Sequence, residues 1–341
     1  MANGPGDPGT RKKRATIWEV AKLAGVSHQT VSRYLKGNGG MKPSTRARVE
    51  QAVAELDYRP DLIARSMRTR RSNRIAIVLP ELTNFVPIPI LRGASAAAHE
   101  AGYTTDVVGL EGDESRRAEG ALTLLDTGQA EGVLSFTPLG DLANRAPDAT
   151  PIVVFGEYDD QMHARGDLAD GAPAEEIVRH LAELGHRRLL HVAGSQDWAS
   201  ARNRRKAYVD TVEQLGLESY GVVDGDWSVR SGYDAARDLP SDSGVTAVFA
   251  ANDFVALGVI RGFQDRGVRV PEDVSVFGWD DEQFTQYFLP TMSTVRYDRE
   301  ALGRRAMLSL LAQVRREPEP STALGKLYEL VPRGSSGPAP S

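Results

Sequence analysis

TIWEVAKLAGVSHQTVSRYLKG, residues 16–37, reads as two short helices hinged at Gly25. Thr16 followed three residues on by Glu19 is a capping-box pair, which satisfies free amides at a helix start. Ile17, Val20, Ala21 and Ala24 then fall at i, i+3, i+4 and i+7, one apolar stripe. Gly25 can take the left-handed conformation the turn needs, Val26 plugs the gap between the helices, and Ser27 caps the second one. With Val31 and Leu35 facing inward, Ser27, His28, Gln29, Ser32 and Arg33 remain on the outer front of helix two, where a helix-turn-helix presents side chains to the major groove. An ordinary helical hairpin has the same pattern, so geometry alone leaves both readings open.

Charge distinguishes them. Residues 1–74 hold 16 Lys+Arg against 6 Asp+Glu, net +10, whereas the remainder holds 25 against 40, so the overall −5 hides a basic unit on an acidic body. Such asymmetry points to a polyanion-binding arm, because Lys and Arg contacts to phosphates supply the sequence-independent part of DNA affinity. At 341 residues and 41% hydrophobic content, more than one domain is expected. No apolar stretch approaches bilayer length, and the polar, basic start MANGPGDPGTRKKRAT is not a secretory signal. With no cysteine there is neither disulfide nor thiolate chemistry. A cytoplasmic, nucleoid-associated protein without membrane contact is the expectation.

Working outward, Pro43-Ser44 signals a third helix over 45–56, with Val49, Val53 and Leu56 at helical spacing, closing a headpiece near Tyr58. From Arg74 strand-like runs alternate with helical ones. Strands are expected over 75–79, 105–108, 132–136 and 152–155, then over 189–193, 221–223, 247–250 and 274–277. Helices are expected over 90–101, 114–126, 174–184, 201–215, 231–239 and 254–266, with a last helix over 299–315 and a strand over 326–330. Two strand-helix series imply two lobes, each a parallel sheet covered on both faces, with ligands at the carboxyl ends of the strands. Residues 330–335 spell LVPRGS, identical to a protease site used in expression vectors, so native and vector origins both stand.

The chain resembles the lactose-repressor (LacI/GalR) family of bacterial transcription regulators over about 15–333. The resemblance rests on VAKLAGVSHQTVSRYLKG, STRARVEQAVAELDYRPDLIARSM, LGHRRLLHVAG with SAR after it, AANDFVALGVIRGFQDRG and PEDVSVFGWDD, in that order and spacing. It implies a homodimer whose paired headpieces bind a pseudo-palindromic operator in double-stranded DNA. The fold implied is α/β: a two-lobed periplasmic-binding-protein-like core behind an all-α helix-turn-helix headpiece. The expected organisation is a disordered tail 1–14, a headpiece 15–58, a hinge-helix linker 59–73 and a core 74–333. Within the core, one lobe takes about 74–168 with 298–323 and the other about 169–297 with 324–331; a disordered tail, 334–341, follows.

On matching positions, His28 and Gln29 would read base edges and Arg33 would reach a base. Arg bidentate to guanine and Gln to adenine are each worth roughly 1–3 kcal/mol of discrimination. Thr16, Ser27, Thr30 and Ser32 are expected as phosphate contacts or caps. In the linker, Arg65 joins the DNA-binding set, and Met67 stands where the family commonly inserts a leucine into the minor groove. For the effector, the matching positions are Trp198, Arg202, Trp227, Asn252, Asp280, and Tyr297 or Arg299. This inventory suits a mono- or oligosaccharide: Arg, Asn and Asp divide the donors and acceptors of hydroxyls, and indoles stack on the C–H face. Simpler roles also fit, with Asn252 as a helix cap, Asp280 as a solvated strand-end residue, and Trp198 and Trp227 as core or interface aromatics.

Three segments depart from the family. TPLGDL has Gly140 where lactose-type members place a carboxylate, GEYDDQMHARGDLADG lacks the usual Asp-Asn crossover, and LPELTNFVPIPILRGA is unusually rich in proline. They bear on the identity of the ligand more than on its existence; the alternatives are a corepressor-dependent regulator sensing a nucleobase or other metabolite, and a ligand-independent DNA-binding protein. No leucine heptads favour a tetramer. No cofactor or metal is expected, and no enzyme: GxSxG, a Walker loop and HExxH are all missing.

Overall fold

A computed structural model describes residues 15–35, 41–58, 72–80, 87–140, 151–319 and 325–341. The chain divides into two units, 1–72 and 73–341.

The first unit is a three-helix headpiece. Helix α1 (Ile17–Ala24) opens on the expected reciprocal cap: the Thr16 hydroxyl accepts from the Glu19 amide at 3.3 Å, and the Glu19 carboxylate accepts from the Thr16 amide at 2.6 Å. Gly25 ends it at φ +62°, left-handed as the turn requires. Helix α2 (His28–Leu35) begins where the Ser27 hydroxyl accepts from the Thr30 amide at 3.3 Å. Helix α3 (Pro43–Glu55) completes a small core of Val20, Ala21, Ala24, Val31, Val49 and Ala52.

The second unit holds two parallel sheets of identical topology. In the first, β1 (Arg74–Leu79), β2 (Thr104–Gly109), β3 (Gly132–Ser135) and β4 (Ile152–Val154) lie in the order β2-β1-β3-β4. Helices α4 (Ile88–Glu100) and α5 (Glu114–Asp126) make its crossovers. In the second, β5 (Arg188–Val192), β6 (Glu218–Val223), β7 (Ala247–Ala250) and β8 (Ser275–Phe277) lie in the order β6-β5-β7-β8. Its helices are α6 (Ala172–Glu183), α7 (Ala199–Gln214), α8 (Val229–Asp238) and α9 (Asp253–Asp265). Central strands such as β1, β3 and β7 are apolar and buried, as strands covered on both faces must be. In each sheet the strand order reverses beside the central strand, the place where open α/β sheets leave a crevice at their carboxyl ends.

The chain crosses between lobes three times. After the second lobe, β9 (Thr294–Tyr297) leads into α10 (Arg299–Arg315), which packs on α4 and the first sheet; the chain then returns as β10 (Tyr328–Val331), antiparallel to β9. Strand β9 escapes a local reading because it is four residues long and its partner lies some thirty residues downstream.

The expectation of a disordered tail over 334–341 is overturned. The Ser335 side chain is fully buried and donates to the Val276 carbonyl at 2.7 Å, and the Val276 amide donates to the Ser335 carbonyl at 2.7 Å. Farther on, Gly337 accepts from His186 Nε2 at 3.0 Å, and the Ala339 amide donates to Leu184. Gly, Pro and Ser composition read as disorder because it offers little apolar surface. What orders this segment is backbone and hydroxyl hydrogen bonding along the edge of β8, which composition does not encode. The expectations for residues 1–14 and for the linker with Arg65 and Met67 lie outside the described residues.

Candidate nucleic-acid interface and effector cleft

The outer face of α2 carries the residues expected to read DNA. Gln29 and Arg33 are exposed and Val31 is fully buried, so helix phase directs the first two away from the core. Thr16 and Ser27 act as caps, and the Ser27 hydroxyl lies 3.0 Å from that of Thr30. Ser32 is half-buried. His28 is half-buried too, because its ring packs against Trp18 with centroids 4.2 Å apart. Trp18 itself is 64% exposed and was not among the residues expected at the DNA face. A tryptophan on the polar side of a short amphipathic helix was the available signal.

In the second lobe, candidate residues gather at the carboxyl end of every strand. Trp198 follows β5, Trp227 follows β6, Asn252 follows β7 and Asp280 follows β8. The Trp198 and Trp227 rings lie 5.2 Å apart, and His163, from the first crossover, packs on Trp198 at 4.1 Å. Trp227 adopts φ +70°, a left-handed conformation that a bulky side chain rarely takes. It fits only because Gly194 lies beneath it: a Cβ there would come within 2.5 Å of the indole. Asn252 caps α9, accepting from the Val255 amide at 2.8 Å, and its amide group donates to the Trp227 carbonyl at 3.3 Å. The cap role leaves its amide group free to tie α9 to the loop that carries Trp227.

Arg202 is not brought into this cluster. It is exposed, and its guanidinium donates to the carbonyls of Gln196 and Asp197, both at 2.7 Å, in the loop that precedes α7. Two residues on, Arg204 is buried instead, 3.9 Å over the Trp279 ring and 5.5 Å from that of Trp227, with Nη1 donating to the Ala251 carbonyl. A shift of two residues on a helix is a turn of about 200°, which carries a side chain to the opposite face. The signal was present in the spacing of Ala201, Arg204, Tyr208 and Val212, the stripe that α7 buries.

Asp280 meets Arg299 at 2.6 Å. Burial works against the Arg299 charge, but the Asp280 carboxylate outweighs it and holds the guanidinium above its ordinary range. Burial pushes the neighbouring Arg204 down from its ordinary value, partly offset by the charge of Asp280. Tyr297 is buried between the rings of Trp279 and Tyr328, with centroids 6.0 and 5.8 Å away. Beneath this floor Asp253 is buried, accepting from the Thr294 hydroxyl at 2.7 Å and the Glu282 amide at 2.8 Å. Burial, helped by the charge of Asp280, pushes its carboxyl up to about 8.

Four polar atoms of this region are buried without a partner among the described residues: Arg204 Nε, Trp227 Nε1, Trp279 Nε1 and the Tyr297 hydroxyl. In the first lobe the Thr137 hydroxyl, just after β3, is likewise buried without a partner among the described residues. Gly140, where the family pattern places a carboxylate, has Glu114 beside it: a Cβ there would lie 3.1 Å from Glu114 Oε2. Tyr297 also lines a cavity of about 220 Å³, where Arg305 pairs with Asp167, Lys326 pairs with Glu176 outside the lining, and Asp170 adds a further carboxylate. Among the described residues there is no cluster suited to a metal ion, and no helix long and apolar enough to cross a membrane.

Comparison with known proteins agrees with this architecture. The model for bacterial regulatory proteins of the lacI family matches residues 16–61, and that for a periplasmic binding protein-like domain matches 178–336. The HTH-type transcriptional repressor CytR of Escherichia coli (strain K12) is 30% identical over 335 residues, covering 96% of this chain and 97% of its own. The ribose operon repressor of the same strain is 29% identical over 339 residues, covering 94% and 100%. A crystal structure of the lac repressor dimer bound to operator and the anti-inducer ONPF superposes with a TM-score of 0.68 at 27% identity, covering 95% and 100%. These relatives are named as repressors, not as enzymes. The chain thus belongs to the lacI family of bacterial regulatory proteins: it is a DNA-binding transcription regulator with a helix-turn-helix headpiece and a periplasmic-binding-protein-like body.

Proposed function

We propose that this regulator is a cytoplasmic repressor that binds its operator as a homodimer, and that a mono- or oligosaccharide in the second-lobe cleft releases it from DNA. His28, Gln29 and Arg33 read bases, and Thr30 and Ser32 meet phosphates. Arg65 and Met67 would join them from the linker. Trp198, Arg204, Trp227, Asn252, Asp280, Tyr297 and Arg299 form the effector wall. The lobes divide about 74–168 with 298–323 from 169–297 with 324–331, and the packed tail joins the latter.

The observation that carries the effector reading is the set of unpartnered N–H groups on Arg204, Trp227 and Trp279. Each buried donor without an acceptor costs about 1–3 kcal/mol. A ligand with several oxygens and an apolar C–H face removes that cost while stacking on the indoles. The dimer reading is supported by exposed Phe254, Tyr287 and Leu289 on the second lobe and by the dimeric form of the lac repressor.

The test is calorimetric titration with a panel of mono- and oligosaccharides, and with nucleobases and nucleosides, on the wild type, Arg204→Ala and Arg202→Ala. A saccharide should bind, the Arg204 variant should lose about 2 kcal/mol or more of affinity, and the Arg202 variant should keep it. Binding of a nucleobase alone would replace the sugar reading with corepressor sensing.

A further inference from the structure

Asp280 and Asp281 are neighbours that face opposite ways. Both are non-glycine residues with left-handed backbones, φ +115° and +52°, a conformation that persists only where surrounding contacts over-determine it. Asp280 is held by Arg299, the first residue of α10, which packs on the first lobe. Asp281, with its side chain 7% exposed, is held within the second lobe by Arg296 at 2.6 Å and Arg333 at 2.7 Å. The turn is thus tied to one lobe through one carboxylate and to the other through the next.

Arg333 does more than neutralise Asp281. While Nη2 donates to that carboxylate, Nη1 donates to the Thr285 hydroxyl and to the Met292 carbonyl, both at 2.9 Å. Thr285 is fully buried, and its hydroxyl lies 2.7 Å from the Glu282 carbonyl and 3.2 Å from the Asp281 carboxylate, so it touches the turn directly as well as through Arg333. One planar fork therefore spans the turn and both ends of the loop 285–292, a job a guanidinium can do and an ammonium cannot. That loop presents Tyr287 and Leu289, 79% and 78% exposed. Arg296, the other partner of Asp281, reaches Glu329 on β10 and makes no such bridge.

We propose that Arg333 is a positioning residue that couples the Asp280–Asp281 turn to the loop 285–292. Lobe movement felt at Asp280 through Arg299 is passed by Asp281 and Arg333 to the apolar surface on which a second copy of this chain packs. The inference rests on the effector and dimer readings above.

Hydrogen exchange of the full chain, read by mass spectrometry over residues 279–283 and 285–292, tests it alongside sedimentation. Arg333→Ala should speed exchange about tenfold in both segments and weaken the dimer. Arg333→Lys keeps a cation beside Asp281 without the fork, so the turn should stay protected while the loop does not. Thr285→Val, which removes one arm of the fork and the hydroxyl's own bonds to the turn but no charge, should loosen the loop and serves if the alanine variant fails to fold. Arg296→Ala should loosen the turn alone. Unchanged loop exchange in Arg333→Ala or Thr285→Val, or a loop loosened equally by Arg296→Ala, overturns the coupling. A wild type that stays monomeric overturns the dimer reading instead, and that result is independent of the exchange pattern.

Discussion

Arg202 and Arg204 show what a single side chain's role depends on. Arg202 ends the SAR run that carries the family resemblance and Arg204 follows two residues on, and both are chemically able to grip a sugar. The structure separates them by helix phase: one bonds to the loop that precedes α7, the other lies between two indoles with Nε unpartnered. Family spacing led to the first, whereas the buried stripe of α7 leads to the second. Other residues were legible outright. Gln29 and Arg33 stand on the exposed face because Val31 fixes the phase of α2, and the Thr16–Glu19 cap is readable from two letters three apart. Arg33→Ala should cost about 1–3 kcal/mol on the cognate operator and far less on random DNA. Equal losses in fluorescence anisotropy titrations on both DNAs would remove Arg33 from base reading.

At the scale of elements, periodicity located nearly every strand and helix of the body, because buried parallel strands and amphipathic helices differ in repeat. Long-range pairing was what the sequence concealed, as with β9 and with the tail. Strand β5 makes a separate prediction. His191 on it is fully buried, donating from Nδ1 to the Phe249 carbonyl at 2.9 Å and stacking on the Phe249 ring at 4.5 Å. Burial lowers its pKa from 6.5 to about 4, with the carbonyl bond opposing and the nearby arginines assisting. Above pH 6.5 both folded and unfolded chains keep this ring neutral, and its contribution is fully present. As pH falls from 6.5 towards 4 the unfolded chain takes up a proton that the native one refuses, so stability drops by up to about 3 kcal/mol. His191→Phe should therefore flatten the decline of melting temperature between pH 7 and pH 4.5. A variant as acid-sensitive as the wild type would show that this ring does not set the decline. Buried His186, whose pKa burial also lowers, adds in the same direction and remains in the variant.

For the whole molecule, the packed end of the chain bears on handling as well as on fold. LVPRGS is a thrombin site in sequence, but Leu330 and Val331 belong to β10, Arg333 is engaged by Asp281, Thr285 and Met292, and Ser335 is buried. A protease needs its substrate extended and accessible, so the native chain should resist thrombin while the urea-unfolded chain is cut after Arg333. Equal rates by mass spectrometry would mean that the tail is not packed in solution. Composition alone assigned this segment to disorder, whereas the unequal charge of the two units and the paired strand-helix series were visible in the sequence because they are sums over many residues. Contacts between distant parts of one chain are not sums of that kind.

The four tryptophans are divided in a way that gives the molecule an optical readout of its own. Trp18 stands on the headpiece, whereas Trp227 and Trp279 flank Arg204 and Trp198 packs on Trp227, all three in the proposed effector region. Replacing Trp18 with phenylalanine would leave a regulator whose whole indole emission arises beside the proposed effector site, so that occupancy could be followed by intrinsic fluorescence without any label. The remaining headpiece indole, kept in a variant lacking the other three, would report operator contact alone. One protein would then provide separate colour-shift signals for its input and for its output.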